Sequence, residues 1–422
     1  MQIGVIGSGI AGLVASRRLV DAGHHVTLFE RQAAIGMDVH SLPVGTLADH
    51  QPIRADVPSR MFNPTQWPAL YRLYLEIGVE TVDVCPSQSF SHYQGESYLT
   101  LNQANRPAAI AGKLLDRKAT RILKDAVRLQ KQGTRDLADP ALLQAKTTHE
   151  YLLENGYREE FICEFLYPTL SSTVYTCSFD SVGKYPAFTT LAILHNLTRD
   201  TRLFRAAHGT ADVVRRLLPE TMDVRLDCEV QSVSRGQRDV TVELSNEPAC
   251  LFDHVVVATQ ANTACQLVDS LSVRELSVLS SFCYETIPVF VHTDRSLMPA
   301  KPRRWSTFNM LVAGDRKAAM CSVWLNRFHS DWPRSRPVFQ TINAFAEPDS
   351  SQVVGHCVLQ RPVVNGDSVR AWQQIEQLNA ESDRRIWFCG SYAGRGTPLL
   401  ESGVVSATSV VQGIQNSLAG AA

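Results

Sequence analysis

The first thirty residues constrain this chain more than any other stretch. Gln2-Ile3-Gly4-Val5-Ile6 is a short apolar run, and Gly7-Ser8-Gly9-Ile10-Ala11-Gly12 follows it directly. Leu13 to Ala22 is helical in pattern. His25-Val26-Thr27-Leu28-Phe29 is a second strand, ending on Glu30. Strand, glycine turn, helix, strand, acid is the order of a dinucleotide-binding unit. In such a unit Gly7 permits the tight turn out of the strand, Gly9 lets backbone approach a pyrophosphate, and Gly12 lets the helix pack on the sheet. The helix N-terminus offers free N–H groups and the positive end of its dipole. Glu30 arrives where a carboxylate accepts hydrogen bonds from ribose hydroxyls. A glycine turn without a ligand is the alternative, and the complete context weighs against it.

The remaining sequence narrows the class. With 422 residues the chain has room for more than one domain and sizeable cores. Lys+Arg at 41 against Asp+Glu at 42 gives a net charge of −1, which argues against a nucleic-acid binder. No apolar run is long enough to span a bilayer, and no basic segment precedes the first strand, so a cytoplasmic location is expected. Cysteines stand at 85, 163, 177, 228, 250, 265, 283, 321, 357 and 389 without CxxC or Cys/His ligand spacing. No metal site is expected; in a reducing compartment such cysteines act as small buried hydrophobes.

Along the chain the character changes twice. Pro68 opens a helix that Gly78 stops, and residues 82–101 read as strands and turns. From Ala108 to about Gln132 apolar residues recur at helical spacing, Ile110, Leu114, Leu115, Ile122, Leu123, Ala126 and Val127 among them. On another face Lys113, Arg117, Arg121, Lys124, Arg128, Lys131 and Arg135 recur likewise. A basic amphipathic helix of this kind sits on an anionic membrane surface, grips an acidic partner, or simply presents a solvated face. Further helices are expected over Leu142 to Asn155, Glu159 to Tyr167 and Thr189 to Leu197, so the block from about 60 to 204 reads as a cap domain. Ala211 to Leu218 is helical. Then come Val224 to Leu226, Glu229 to Val233 and Val240 to Leu244, expected as a small meander. The strand Phe252 to Thr259 is expected to return to the main sheet. Ile386 to Cys389 is a buried strand and Gly403 to Gln415 an apolar helix, which suits closure of the N-terminal domain.

Four pieces resemble the flavin amine oxidase and phytoene desaturase superfamily: the Gly7–Gly12 turn with Glu30, then Glu30-Arg31 followed by Gly36-Met37, the strand Phe252 to Thr259, and Trp387 to Gly390 followed by Glu401-Ser402-Gly403-Val404. Within it, Asp56-Val57-Pro58-x-Arg60-Met61-Phe62-Asn63, Leu70 through Glu80, Val291 to Asp294 and Trp305-Ser306-x-x-Asn309 are similar to a bacterial group of NAD/FAD-binding proteins. Genes of that group often lie near cyclopropane-fatty-acid synthases. The resemblance implies an α/β fold, with a glutathione-reductase-like FAD-binding domain over 1–58, 205–266 and 384–422. A discontinuous, helix-rich α+β substrate domain would fill 59–204 and 267–383. It implies FAD rather than NAD, because the nucleotide-binding segments are split with a β-meander between them.

By the same resemblance, Gly7, Ser8, Gly9, Ile10, Ala11 and Gly12 cradle the pyrophosphate, and Glu30 and Arg31 flank the adenine ribose. Gly36 and Met37 stand where the family has paired glycines. Val230 presents backbone to the adenine, Ser59, Arg60 and Met61 lie beside the isoalloxazine, and Thr259 ends the third motif strand. Gly390, Ser391 and the helix start from Glu401 to Val404 meet the ribityl phosphate and the pyrimidine edge. Three departures stand out. Met37 replaces the second glycine, Ser391 replaces an acid, and Leu400-Glu401-Ser402-Gly403 replaces the close group's His-Glu-Asp-Gly.

Flavin chemistry asks little of side chains beyond position, a dry pocket and tuning of the flavin. The expected reaction is oxidation of a C–N or C–C bond of a largely apolar small molecule by hydride transfer. A redox-neutral isomerase or cyclase, and an accessory flavoprotein that binds a partner enzyme through the basic helix, are the alternatives. Tyr392 and His292 are the candidate catalytic side chains, and Arg60 could pair with a substrate carboxylate. Phe161, Phe165, Tyr167, Tyr175, Phe179, Tyr185 and Phe188 make the cap aromatic, as a core also would be. No Ser/His/Asp set stands at motif spacing, so hydrolase chemistry has no support.

Overall fold

The computed structural model describes residues 1–46, 52–101, 117–139, 141, 143, 146–381 and 383–419. Its centre is a parallel five-stranded sheet in the order Ile386–Phe388, His254–Val257, β1 (Gln2–Ile6), β2 (His25–Phe29), Asp223–Arg225. Strands far apart in sequence thus lie side by side. The strands β1, His254–Val257 and Ile386–Phe388 are buried almost throughout, as strands covered on both faces must be. Between β1 and β2 runs α1 (Ile10–Asp21), whose Leu13, Val14, Ala15 and Leu19 are buried.

Two differences from the sequence reading concern strands. Val224 and its neighbours leave the meander and form the outer strand beside β2, with Val224 opposite Leu28. The run from Phe252 is cut at Asp253. Cys250–Phe252 becomes the third meander strand and His254–Val257 enters the parallel sheet. Asp253 is the pivot, for its N–H donates to the Gln2 carbonyl while its carboxylate accepts from the Gln2 N–H at 2.8 Å.

The second sheet has seven strands in the order Val353–Val363, Cys283–His292, Phe339–Ile342, Ala319–Trp324, Phe308–Val312, Gln88–His92, Ser97–Leu101. Its one parallel pairing joins Phe308–Val312 to Gln88–His92. Helices from the block before residue 204 pack beside it. Arg117–Asp136 runs along Ala187–Arg199, and Gly133 makes the approach possible: a Cβ there would sit 2.8 Å from Leu191 Cδ2. Of the expected basic helix, Ile110, Lys113, Leu114 and Leu115 lie outside the described residues, as does Leu142. Ala141 and Leu143 are helical, and a separate helix begins at Thr148, where Thr147 and Glu150 form a capping box. The C-terminal helix spans Leu400–Ala419, three residues earlier than expected.

A buried ion network ties the meander to the parallel sheet. Glu275, fixed by its capping box with Ser272, accepts from Arg235 at 2.5 Å and from Arg384 at 2.9 Å. Glu275 and Arg384 are both buried. Burial alone would raise the Glu275 pKa, but the bonds from Arg235 and Ser272 and the Arg384 charge outweigh it and hold the carboxyl below its ordinary 4.5.

Candidate active site

The carboxyl ends of three adjacent parallel strands converge on one crevice, the usual ligand position in an open α/β sheet. Gly7 follows β1 with φ +97, a conformation that suits glycine. Its N–H donates to the Phe29 carbonyl, locking the turn to β2. A Cβ on Gly7 would lie 3.3 Å from the Ala258 carbonyl, and one on Gly390 would lie 3.3 Å from the Thr259 carbonyl. Gly7, Thr259 and Gly390 are therefore neighbours, drawn from the three strand ends.

The cradle distinguishes its glycines. At Gly12 a Cβ would sit 1.9 Å from the Gly7 carbonyl oxygen, so no side chain fits. At Gly9 a Cβ would meet nothing within 4 Å; that side faces open space. Gly9 caps α1 without a side-chain hydrogen bond, and the first turn carries no acid. Ile10 and Ala11 are buried as side chains, so their contribution here is backbone. An uncapped helix N-terminus beside an open glycine fits a pyrophosphate.

Glu30 is buried and already engaged. Its carboxylate accepts from the Ser8 N–H at 3.1 Å, the Ser8 hydroxyl at 2.5 Å and the Gln32 N–H at 2.9 Å. The Ser8 hydroxyl in turn accepts from Gly36 N–H at 2.6 Å. Gly36 packs so closely that a Cβ would come within 3.0 Å of Ser8 backbone. Met37 tucks into the hydrophobic core that contains Ile10 and Leu13, and lines none of the cavities described here. Beside Glu30, a recess of about 340 Å³ is lined by Arg31, Gln32, Asp227, Cys228, Glu229 and the turn from Leu244 to Glu247. Val230 follows at the start of a meander strand whose register shifts between Val230 and Ser232. Its position beside the recess suits an adenine.

On the other side of the crevice a loop carries Ser59, Arg60 and Met61. Gln340, fully buried, clamps it: its amide oxygen accepts from the Ser59 N–H at 2.7 Å and its amide nitrogen donates to the Asp56 carbonyl at 2.9 Å. Arg60 donates to Thr210 Oγ1 at 2.8 Å, and Asp56 accepts from the Thr210 N–H and the Ser41 hydroxyl. Arg60 is thus held by the protein's own loop. Gly390 exchanges hydrogen bonds with Ser406, and Ser391 begins a short helical turn.

The Glu401 side chain does not point to this crevice. Its two carboxylate oxygens accept from the Ala69 and Leu70 N–H groups at 3.0 and 2.7 Å, capping α2 (Pro68–Glu76) from 330 residues away in the chain, where Trp67 offers no cap. Val404 is likewise a core side chain. What the C-terminal helix brings to the crevice is backbone, pressed against α1. A Cβ on Gly403 would lie 2.6 Å from Ile10 Cγ2. Glu401→Ala is expected to cost about 1–2 kcal/mol, and Glu401→Gln less than Glu401→Ala, as read by thermal unfolding.

Neither candidate catalytic side chain lines a cavity described here. Tyr392 packs edge-on against Phe282 at 4.9 Å, and burial pushes its hydroxyl well above the ordinary range. It sits in the core under the strand end. His292 is fully buried; Nε2 meets Thr341 Oγ1 at 2.7 Å, and burial pushes the ring down to about 4. At neutral pH it is an uncharged partner of Thr341.

Next to the crevice lies the cavity that sequence reasoning missed. It has a volume of about 470 Å³, with Met61, Thr397 and Leu399 at the crevice end. Its walls come from Leu123, Leu129, Phe161, Phe165, Ile193 and Leu194, among others, and among the described residues no Asp, Glu, Lys, Arg or His lines it. The missed signal lay in the helix Ala187–Arg199, whose run Leu191-Ala192-Ile193-Leu194 with Leu197 is wider than one packed face needs. Of the cap aromatics only Phe161 and Phe165 reach this cavity. Tyr175 stacks on Tyr185 at 3.7 Å, Tyr167 packs on Phe179, and Phe188 is exposed.

A parallel dinucleotide sheet, a glycine cradle at an uncapped helix and an adjoining apolar cavity define a FAD-dependent oxidoreductase. The chain belongs to the flavin-containing amine oxidoreductases, whose family model matches residues 10–414. No curated protein sequence matches it. Among solved structures it is similar to putrescine oxidase bound to putrescine, at 13% identity and TM-score 0.67 over 99% of both chains. It is also similar to cyclohexylamine oxidase from Brevibacterium oxydans, at 14% identity and TM-score 0.62, over 98% of this chain and 99% of that one. A fatty acid isomerase from P. acnes is similar at 15% identity and TM-score 0.66, over 97% and 98%. At these identities the likeness concerns the fold. Among the described residues no cluster of metal-ligating side chains occurs, and no helix is long and apolar enough to cross a membrane.

Proposed function

We propose that the enzyme oxidises a neutral, apolar molecule at a C–C rather than a C–N bond. That no described residue with an ionisable side chain lines the cavity carries this reading. An alkylammonium substrate buried there would leave its charge unpaired, at a cost of several kcal/mol. A hydrocarbon chain or ring gains about 25 cal/mol for each Å² removed from water. FAD, when bound, supplies hydride acceptance from a substrate C–H bond.

The protein's part is placement. Gly7, Gly9, Gly12 and the α1 N-terminus hold the pyrophosphate; Glu30, Arg31 and Val230 serve the adenosine; the Gln340-clamped loop and the Gly390–Ser391 turn flank the flavin. Met61, Thr397 and Leu399 set the substrate's reacting end against that flank. The largely apolar walls, with neutral hydroxyls such as those of Thr169, Thr173 and Thr397 among them, orient the occupant by shape and by hydrogen bonds to uncharged groups.

The test is anaerobic mixing of the holoenzyme with apolar molecules matched in size, neutral in one set and alkylamines in the other. Loss of the oxidised-flavin absorbance with neutral compounds only is the expected result. Bleaching by amines alone overturns the proposal. Turnover of a neutral compound to a product of unchanged mass, without bleaching, favours a redox-neutral isomerisation instead.

A further inference from the structure

We propose that the exposed face of the helix Arg117–Asp136 docks on an anionic lipid surface, from which the cavity takes its substrate; the second clause rests on the apolar-substrate reading above. Arg117, Arg121, Lys124, Arg128, Lys131 and Arg135 follow one another at alternating spacings of four and three. At 100° per residue they fall within an arc of about 80° and run about 27 Å along the helix. All six are exposed.

The stripe is not neutralised from within. The helix has two carboxylates, and only Asp125 reaches the stripe, lying 3.7 Å from Arg128. Asp125 is buried and bonded to Arg158, and Asp136 accepts from the Tyr151 hydroxyl at 2.6 Å. Arg128 is partly occupied, donating to the Gly156 carbonyl and lying 4.0 Å over the Tyr157 ring. Arg117, Arg121, Lys124, Lys131 and Arg135 have no carboxylate within ion-pair distance among the described residues. The chain's net charge is −1, so the attraction is local to this face.

A lipid surface, rather than an acidic protein, is favoured by what the same helix does on its other side. Leu123, Ala126, Val127, Leu129 and Gln130 line the apolar cavity. Val127 is 50% exposed while also lining it, and Thr198 on the neighbouring helix is exposed too. The cavity therefore reaches the surface beside the basic stripe. Cations that settle among anionic headgroups would hold an apolar mouth at the depth where apolar molecules are stored.

The experiment uses the holoenzyme with vesicles of phosphatidylcholine alone and of phosphatidylcholine mixed with phosphatidylglycerol. Co-sedimentation with the mixed vesicles at low salt, its loss at high salt, and no binding to phosphatidylcholine alone are expected. The triple variant Arg121→Glu, Lys124→Glu, Lys131→Glu should keep its flavin and its unfolding temperature. Its partitioning should fall by roughly 100-fold or more, at about fivefold per charge removed and more for reversal. Equal binding to both vesicle types, or undiminished binding by the triple variant, overturns docking. So does preference for duplex DNA over anionic vesicles at matched salt. Flavin reduction by substrate dispersed in detergent is read separately. If it fails while vesicle binding holds, the substrate reading falls and the docking stands.

Discussion

Gly12→Ala is expected to yield a colourless, destabilised protein, while Gly9→Ala yields a colourless protein of normal stability. The pair separates two roles that the glycine motif combines. A methyl group at Gly12 would lie 1.9 Å from the Gly7 carbonyl oxygen, which is backbone and cannot swing aside. Either α1 lifts from the sheet or the turn opens. Overpacking of this severity costs about 3 kcal/mol or more, and at roughly 1 °C per kcal/mol for a chain of this length the unfolding temperature drops by about 3 °C or more. At Gly9 the methyl meets no protein atom within 4 Å. It projects into the space a pyrophosphate would fill, so flavin content falls and stability without flavin does not. Flavin released on denaturation and thermal unfolding of the flavin-free protein are the two measurements. Equal stability of the two variants would show that the helix tolerates displacement from the turn, and the packing argument would fail.

Glu275→Ala is expected to destabilise the protein by about 3–5 kcal/mol, because it leaves the buried Arg384 guanidinium without its main counter-charge. Arg384 would retain Glu381, at 3.3 Å and partly exposed, which places the cost toward the lower figure. The sign with pH follows from the depressed carboxyl. Its stabilisation is present above 4.5 and is lost as pH falls through the lower, folded-state value. The difference between wild type and variant should therefore shrink in acid. Denaturant unfolding at pH 7 and below pH 4 measures it. A difference that is constant or grows in acid would overturn the assignment.

The parallel sheet, its glycine turn and the late strand were legible because each is local. A short apolar run, a glycine spacing and an acid at a strand end are written in short stretches of residues. The class of cofactor followed from the order of such runs. What was not legible depended on contacts between distant segments. Glu401 stands at a helix start in the sequence, and only the fold brings α2 to it. Tyr392 follows the strand Ile386–Phe388, yet its ring turns into the core against Phe282. Gln340 carries no motif, since its role is to meet Ser59 and Asp56 from another sheet. The cavity was hidden for the same reason. Its walls are apolar residues on two helices, and apolar residues look alike whether they face a core or an empty space.

The contact between Gly403 and Ile10 has a consequence for the timing of assembly. During synthesis the glycine turn precedes most of the sheet that completes it: β1 must wait for its neighbour His254–Val257, which in turn pairs with Ile386–Phe388. The helix that packs on α1, Leu400–Ala419, is made later than either strand. A nascent chain therefore carries its phosphate-binding turn half-finished until these segments have emerged. Flavin capture becomes a late event, coupled to the emergence of the helix Leu400–Ala419. Such long-range closure slows folding and leaves apolar sheet faces uncovered meanwhile, so ample flavin at the moment of release should raise the yield of native enzyme more than flavin added afterwards.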